Sequence, residues 1–227
     1  YFGVYAKRFL EAGAGIIGGC CGTTPDHIKK MAGSFAQKQT RLRRKSSVSM
    51  CNKEQSKARK PLDLEKRSSL AAKIVSGEKV VLVEMVPPRG RKVTKKLAAA
   101  EKLKQAGVDC INIPDGPRAS ARMNCMALAK LLEEAGVESM LHYTCRDRNI
   151  LGMQSDLLGA AALGLKNILA VTGDPPLMGD YPDATPVFDV DSIGLTNLIT
   201  NLNRGLDIGN RSIGRPTAFY TGVGVDP

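Results

Sequence analysis

Residues 140–176 read MLHYTCRDRNILGMQSDLLGAAALGLKNILAVTGDPP, and this stretch decides the fold. The apolar run at 140–144 predicts a β-strand, and Asn149 then begins an amphipathic helix that Gly164 ends. A second apolar run at 166–171 predicts another strand. Strand, helix and strand in succession form a βαβ unit, which implies a parallel sheet. On the buried side of the helix we expect Leu151, Leu157, Leu158, Ala161 and Ala162.

Polar residues follow both of these strands at the point where each strand ends. Thr144 and Arg146 follow the first strand, and Thr172, Gly173 and Asp174 follow the second. Both α/β barrels and doubly wound sheets place their active sites at the carboxyl ends of parallel strands. Two prolines come directly after Asp174 and cannot continue the strand, so they hold this aspartate at its mouth. The sequence therefore predicts the functional site here.

Alternating strand and helix patterns extend on both sides of this stretch. Helices are predicted at 70–76, 123–135 and 191–202, and strands at 79–86, 110–113 and 217–223. A further helix ends at Gly107, and its predicted core face comprises Leu97, Ala98, Ala100, Leu103 and Ala106. Successive strand-to-helix units predict an α/β (TIM) barrel, interrupted after about strand five. A doubly wound open sheet is the alternative.

The first thirty residues predict a helix, a short strand at 14–19 and a second helix, with Thr24 as its N-cap and Pro25 in its first turn. Cys20 and Cys21 directly follow that strand. Both thiolates can reach one soft metal ion, and zinc suits thiolate ligands. The alternative interpretation is two small buried hydrophobic side chains.

The net charge of +11 is concentrated in one polar segment. Residues 38–67 contain 11 Lys and Arg and 3 acidic residues, which accounts for +8. A basic run of this kind is typical of a solvated linker, here placed at 34–69, although it could also contact RNA or anionic lipid. Six irregularly spaced cysteines indicate reduced thiols in a cytoplasmic protein, and no apolar run approaches the length of a membrane span.

Three residues of the predicted sheet are candidates for chemistry. Glu84 lies in the apolar strand VVLVEMVPP, where burial would favour its protonated form and suit a general acid. The alternative is a carboxylate neutralised by a neighbouring Lys or Arg. Asp174 could be an ordinary turn former, but a second carboxylate at a strand mouth favours a shared pocket. His142 could be a core histidine or could donate to a cofactor without titrating.

Several strings resemble known families. EMVPPRG from 84, CINIPDGPRASARMN from 110, HYTCRDRN from 142, GLKNILAVTGDPP from 164 and VFDVDS from 187 resemble methylenetetrahydrofolate reductases, which are flavin-containing α/β barrels. AGIIGGCCGTTPDHI from 14 resembles the last strand and final helix of a zinc-dependent homocysteine S-methyltransferase barrel. The resemblance implies domains at 1–33 and 70–227, and a chain that is an internal piece of a fused protein and inactive by itself.

The reductase resemblance implies a role for each matching position. Glu84 matches the general acid, and Asp174 matches the aspartate whose charge stabilises a cationic folate intermediate. FAD contacts are implied for His142, Thr172, Gly173, Asp174, Phe188 and Asp189. NAD(P)H would be the co-substrate and methylenetetrahydrofolate the substrate. The chain departs from better-known reductases at Pro114, Asp115, Thr172, Gly222 and Asp226.

The methyltransferase resemblance implies that Cys20 and Cys21 are two of three zinc thiolates and that homocysteine is the methyl acceptor. The expected partners are these small molecules and further copies of the chain, without a membrane or a nucleic acid. A different class of function remains open, in which an inactive barrel presents the basic segment to nucleic acid or a regulatory partner. A flavin enzyme of the same barrel class with another electron acceptor is also open.

Overall fold

The structure is a computed structural model that describes residues 2–11, 23–35 and 57–224. The chain forms two compact units, Tyr1–Cys51 and Asn52–Pro227. Within the described ranges, every helix is too short or too polar to cross a lipid bilayer.

The first unit contains two helices that pack against each other, α1 (Phe2–Glu11) and α2 (Pro25–Phe35). As the sequence predicts, α2 begins after Thr24, whose carbonyl oxygen accepts the backbone N–H groups of His27 and Ile28 at 3.0 and 3.2 Å. Proline suits the first helical position because it has no N–H to leave unpaired. The predicted strand at 14–19 and the pair Cys20–Cys21 lie outside the described residues.

The second unit is built on one sheet of five parallel strands, arranged side by side in chain order. A doubly wound sheet reverses its strand order at a switch point, whereas a barrel adds each strand next to the previous one. The sequential order therefore confirms the barrel and rules out the alternative. The strands are β1 (Leu82–Glu84), β2 (Cys110–Ile113), β3 (Ser139–Thr144), β4 (Asn167–Val171) and β5 (Tyr220–Val223).

Five helices accompany the strands, and side chains that accept hydrogen bonds from free backbone N–H groups begin four of them. These caps are Ser68, Asn124, Asn149 and Asp191. Gly107, Gly136 and Gly164 take positive φ angles just after three of the helices, where other residues would be strained. The helices are α3 (Ser69–Val75), α4 (Thr94–Gln105), α5 (Cys125–Glu134), α6 (Ile150–Ala162) and α7 (Ser192–Leu202).

The two faces of the sheet differ because successive side chains of a strand point to opposite sides. One face packs against α5, α6 and α7 in the main core and includes Ile111, Ile113, Leu141, Tyr143, Ile168 and Ala170. The opposite face is called the inner face here. It carries a smaller apolar cluster in which Leu70 of α3 packs with Cys110 and Met140.

The predicted buried side of α6 is partly wrong. The buried residues are Met153, Leu157 and Ala160, whereas Leu151 and Leu158 are exposed. Met153, Leu157 and Ala160 are spaced by four and three residues, which places them on one stripe of the helix. Leu151, in the first turn, lies outside that stripe. A similar correction applies to α4, in which Ala100 is buried while Ala98 and Ala106 are exposed.

Two leucines of α6 therefore provide a stability test. Leu157→Ala is expected to lower the free energy of unfolding by about 2–5 kcal/mol, because it removes a side chain that is 0% exposed. Leu151→Ala is the matched control at 72% exposure and should change the same quantity by less than about 0.5 kcal/mol. Chemical denaturation measures both values, and equal losses would contradict the assigned core face.

Strand β1 is shorter than the predicted 79–86 because regular pairing covers only Leu82–Glu84. The backbone N–H of Val81 donates to the carboxylate of Asp109 at 2.7 Å instead of to a strand partner. At the other end, Pro87 and Pro88 have no N–H with which to continue the ladder. Glu84 consequently becomes the last residue of the strand.

The described end of the basic segment, residues 57–67, belongs to the second unit and bonds to its later residues. The backbone N–H of Arg59 donates to the Arg204 carbonyl at 2.9 Å, and the Arg67 guanidinium donates to the Phe219 carbonyl at 2.9 Å. Lys66 pairs with Asp63 at 2.8 Å on the surface. The linker boundaries at 34 and 69 stay a prediction, but residues 59 and 67 are anchored to the barrel.

Candidate active site at the carboxyl ends of the strands

Glu84 and His142 lie on the inner face at the carboxyl half of the sheet. Glu84 ends β1 and pairs in register with Asn112, which in turn pairs with Met140 of β3. Residues paired in neighbouring parallel strands point to the same side, so all three share the inner face with Met140's cluster. His142 lies two residues beyond Met140 and therefore points the same way.

Glu84 differs from the sequence-based expectation in its burial. The side chain is exposed, so the predicted burial within an apolar strand is wrong. The reason is its position at the end of β1, past which the chain leaves the sheet at Pro87. Among the described residues, the carboxylate of Glu84 makes no hydrogen bond or ion pair, which argues against a purely structural carboxylate neutralised by Lys or Arg.

His142 is half-buried, and its Nε2 atom is buried without a hydrogen-bond partner in the described part of the chain. Burial lowers the pKa of this imidazole below its usual value of 6.5, while the carboxylates of Glu84 and Asp115 oppose that shift. A neutral imidazole can donate or accept one hydrogen bond without changing charge. The role of His142 as a cofactor contact stays a prediction.

The lowered pKa of His142 has a consequence for stability. Below pH 6.5 the unfolded chain binds a proton at this position before the native protein does, so unfolding is favoured as the pH falls. The stability that depends on a neutral His142 is fully present above pH 6.5. It is lost as the pH falls from 6.5 to the pKa of His142 in the native protein. His142→Gln should therefore flatten the decline in unfolding free energy below pH 6.5. Denaturation series from pH 7.5 to 5 measure both slopes, and identical slopes would contradict this assignment.

The loop after β4 approaches β3 closely at Gly173. This glycine has a φ of +98°, and a Cβ atom there would lie 3.1 Å from Cβ of Thr144 and 3.3 Å from Cβ of Arg146. Only glycine accommodates both the angle and the contact. The Asp174 side chain that follows is exposed, while its backbone carbonyl accepts a hydrogen bond from Arg146 Nη1 at 3.3 Å.

Arg146 connects the loops that follow β2 and β4. It is only 4% exposed, and its Nη1 also donates to the Gly116 carbonyl at 3.3 Å. Asp147 holds the same guanidinium in a two-point pair of 2.8 and 2.7 Å, and this pair raises the pKa of Arg146. A cavity of about 300 Å³ lies beside it, lined in part by Arg122 and Arg148. Asp174 therefore stands on a braced loop at the strand mouth.

A second ion-pair network beneath the site was missed by sequence reasoning. Asp115 accepts hydrogen bonds from the backbone N–H and the hydroxyl of Thr144 at 3.1 and 3.0 Å, and it pairs with Arg148 at 2.7 Å. Arg148 also pairs with Asp156 at 2.9 Å and lies 4.6 Å above the ring of Tyr143. The network fixes the ends of β2 and β3 against α6. The departure at Asp115 was the only signal in the sequence.

Three other predicted cofactor contacts serve the fold. The hydroxyl oxygen of Thr172 accepts the backbone N–H of Ser192 at the start of α7, at 3.1 Å. The Asp189 carboxylate accepts the N–H of Ile150 at the start of α6, at 2.9 Å. Phe188, with a φ of +43°, packs against the main core on the helix side. The structure does not bring Phe188 or Asp189 to the inner face with Glu84, and their cofactor roles stay predictions.

The inner face suits the polar edge of a planar ring system such as a flavin. Three buried polar atoms on this face lack partners among the described residues: Asn112 Oδ1, His142 Nε2, and Asn167 Oδ1 at the start of β4. Gly222 leaves room on this face for the side chain of Leu169, because a Cβ atom at that position would lie 3.1 Å from Leu169 Cδ1. For a metal, no group of three or more His, Cys, Asp or Glu in residues 2–11, 23–35 and 57–224 is suitably arranged. Cys20 and Cys21 fall outside those ranges.

Comparison with protein families agrees with this geometry. A family model of methylenetetrahydrofolate reductase matches residues 69–210, which contain four of the five strands and Glu84, His142 and Asp174. A family model of homocysteine S-methyltransferase matches residues 1–35. A methyltransferase segment thus precedes a reductase segment in one polypeptide, as the sequence predicted. Because the first match covers more than half of its residues, the chain belongs to the methylenetetrahydrofolate reductase family.

Proposed function

We propose that the protein reduces methylenetetrahydrofolate to 5-methyltetrahydrofolate, using FAD and NAD(P)H, and that its methyltransferase part makes methionine from homocysteine with zinc. The two families support folate reduction and methyl transfer in general. The observation that carries the reductase proposal is the unpaired Glu84 carboxylate beside the unpaired His142 imidazole, at the carboxyl ends of barrel strands.

Glu84 serves as the general acid in this proposal. Its exposure allows contact with a ligand, and it has no ion pair among the described residues that would have to break first. The carboxyl group protonates a nitrogen of the five-membered ring of the folate, and the C–N bond opens to give an iminium cation. The negative charge left on Glu84 is not needed elsewhere in the fold.

Asp174 serves as the electrostatic partner of that cation. It stands on the loop after β4, three strand spacings or about 14 Å along the sheet from Glu84. Both carboxylates stand at the carboxyl ends of the strands and can therefore face the same extended ligand. Arg146 and Gly173 hold the backbone of Asp174, and its carboxylate interacts with Arg146 without forming an ion pair among the described residues, which leaves it able to stabilise the iminium.

His142, Gly173 and Asp174 are the residues that would hold the flavin. The chemistry that a flavin would supply there is hydride transfer to the iminium carbon, with NAD(P)H as the source of electrons. His142 offers a neutral imidazole for a hydrogen bond, and Gly173 allows the backbone to approach closely. We propose likewise that Cys20 and Cys21 bind zinc, which would keep the sulfur of homocysteine ionised.

The test is an assay of the full-length protein with FAD, NAD(P)H and methylenetetrahydrofolate, in which 5-methyltetrahydrofolate is identified by mass. Product that depends on all three supports the proposal. Oxidation of NAD(P)H without folate product would favour another electron acceptor. Absence of both, together with salt-sensitive nucleic-acid binding through residues 38–67, would favour the scaffold interpretation.

A further inference from the structure

Asn112 is a polar residue in the middle of an otherwise apolar strand. Its neighbours Ile111 and Ile113 are 0% exposed and point to the helix side, so Asn112 points to the inner face. Its Oδ1 atom is buried and has no hydrogen-bond partner among the described residues. An unpaired buried carbonyl oxygen costs about 1–3 kcal/mol, so its presence at a site calls for a functional explanation.

The register of the sheet places Asn112 beside Glu84. The two residues are Cα partners in β1 and β2, and the backbone N–H of Met85 donates to the Asn112 carbonyl at 2.8 Å, which fixes this register. Neighbouring strands lie about 4.8 Å apart, and paired side chains point to the same side. The side chains of Asn112 and Glu84 therefore project from neighbouring positions to the same inner face.

The charged surroundings of this pair come from the adjoining strands and loops. His142 of β3 interacts electrostatically with Glu84 and also with Asp115 after β2. The guanidinium of Arg122 donates to the Pro87 carbonyl just after β1, at 3.1 Å. Among the described residues, none of these groups forms an ion pair with Glu84. A neutral acceptor beside the carboxyl group can therefore influence its protonation.

We propose that Asn112 is a positioning residue for the general acid: its Oδ1 accepts a hydrogen bond from the protonated Glu84 carboxyl and holds the proton on the inner face. This inference rests on the proposed folate reduction. In the step concerned, one proton leaves the Glu84 O–H for the ring nitrogen of the folate, and the C–N bond of the ring breaks. Glu84 becomes a carboxylate, and no electrons are transferred.

The side-chain chemistry explains why an amide suits this position. An acceptor that bonds only to the protonated carboxyl favours that form over the ionised one. A carboxylate at position 112 would favour it more strongly, since two neighbouring carboxylates resist double ionisation. An apolar residue of similar size would accept no hydrogen bond, so the protonated form would lose this specific stabilisation. The pH at which Glu84 loses its proton should therefore be highest with aspartate at position 112, intermediate with asparagine and lowest with leucine.

The test is the pH dependence of the folate half-reaction, measured on the full-length, nicotinamide-reduced protein. Asn112→Leu should lower the pH midpoint of this rate, which reports loss of the Glu84 proton, by about 0.5–1 unit. It should also lower the rate of the folate half-reaction at neutral pH about five- to tenfold. Asn112→Asp should move the midpoint upward. Reduction of the flavin by NAD(P)H is the internal control and should be unchanged in both variants.

Three results would overturn the inference. The first is an unshifted midpoint in both variants, and the second is a shift of both in the same direction. The third is an equally large loss of folate rate when Asn112→Leu is added to Glu84→Gln, because that variant has no carboxyl proton for Asn112 to hold. If the Leu variant does not fold, Asn112→Ala, which also removes the acceptor, takes its place in the comparison. Failure of the wild-type protein to react with folate would instead refute the proposed function.

Discussion

Glu84→Gln is expected to slow folate reduction by about 10²- to 10⁴-fold while leaving the reduction of bound flavin by NAD(P)H unchanged. Glutamine keeps the size of the side chain but has no carboxyl proton to deliver. The nicotinamide half-reaction transfers a hydride and needs no general acid at this position. Because Glu84 is exposed and unpaired in the described structure, the variant should keep its stability within about 0.5 kcal/mol.

Rapid-mixing absorbance measures the two half-reactions separately. Glu101→Gln on the exposed side of α4 is the matched control, with the same change of charge away from the strand mouths. It should leave both rates unchanged. Equal losses in both half-reactions of Glu84→Gln would contradict the general-acid role, since they would indicate a damaged cofactor site.

Asp174→Asn is expected to retain flavin and to slow the folate half-reaction by about 10- to 100-fold. The substitution removes the negative charge that faces the iminium cation and keeps the shape of the side chain. The backbone of the loop should not move, because Arg146 bonds to the carbonyl of residue 174 and Gly173 fixes the approach to β3. Both features are independent of the side chain.

A control for this variant lies in the same loop. Asp183→Asn changes an exposed aspartate beyond Pro176 and should leave the folate rate unchanged. Single-turnover rates at saturating folate, together with flavin content from the visible spectrum, measure the comparison. Unchanged folate kinetics in Asp174→Asn would remove the electrostatic role, and loss of flavin would make Asp174 a binding residue only.

Local signals in the sequence predicted the elements around the site well. Strand β3, helix α6 and strand β4 differ from their predicted bounds by no more than a few residues. The reason is that Asn149 caps the helix and Gly164 takes the positive φ that ends it. Such signals act within one turn of the chain and can be read without knowledge of the fold. The same holds for Thr24 and Pro25 at the start of α2.

Burial was predicted less well, because it depends on neighbours that periodicity does not specify. Glu84 was expected within a strand buried on both faces, but β1 ends at this residue and leaves it exposed. Leu151 was placed on the core face of α6 because it is apolar, although the stripe through Leu157 excludes it. Apolar identity alone did not determine the buried face.

Contacts between distant parts of the chain could not be predicted at all. Asp115, Arg148 and Asp156 form one network only after β2, β3 and α6 have come together. Asn112 looked like one polar residue in a short strand until the register set it beside Glu84. The structure therefore adds the second layer of the site, while the sequence supplied its two carboxylates.

The most direct test of the account is the anaerobic visible spectrum of the full-length protein. NAD(P)H should bleach the flavin absorbance, and methylenetetrahydrofolate added afterwards should restore it with formation of 5-methyltetrahydrofolate. Recovery of the absorbance in the wild type and its loss in Glu84→Gln is the predicted result. A protein without flavin absorbance, or a reduced flavin that methylenetetrahydrofolate does not reoxidise, would contradict the proposed folate reduction.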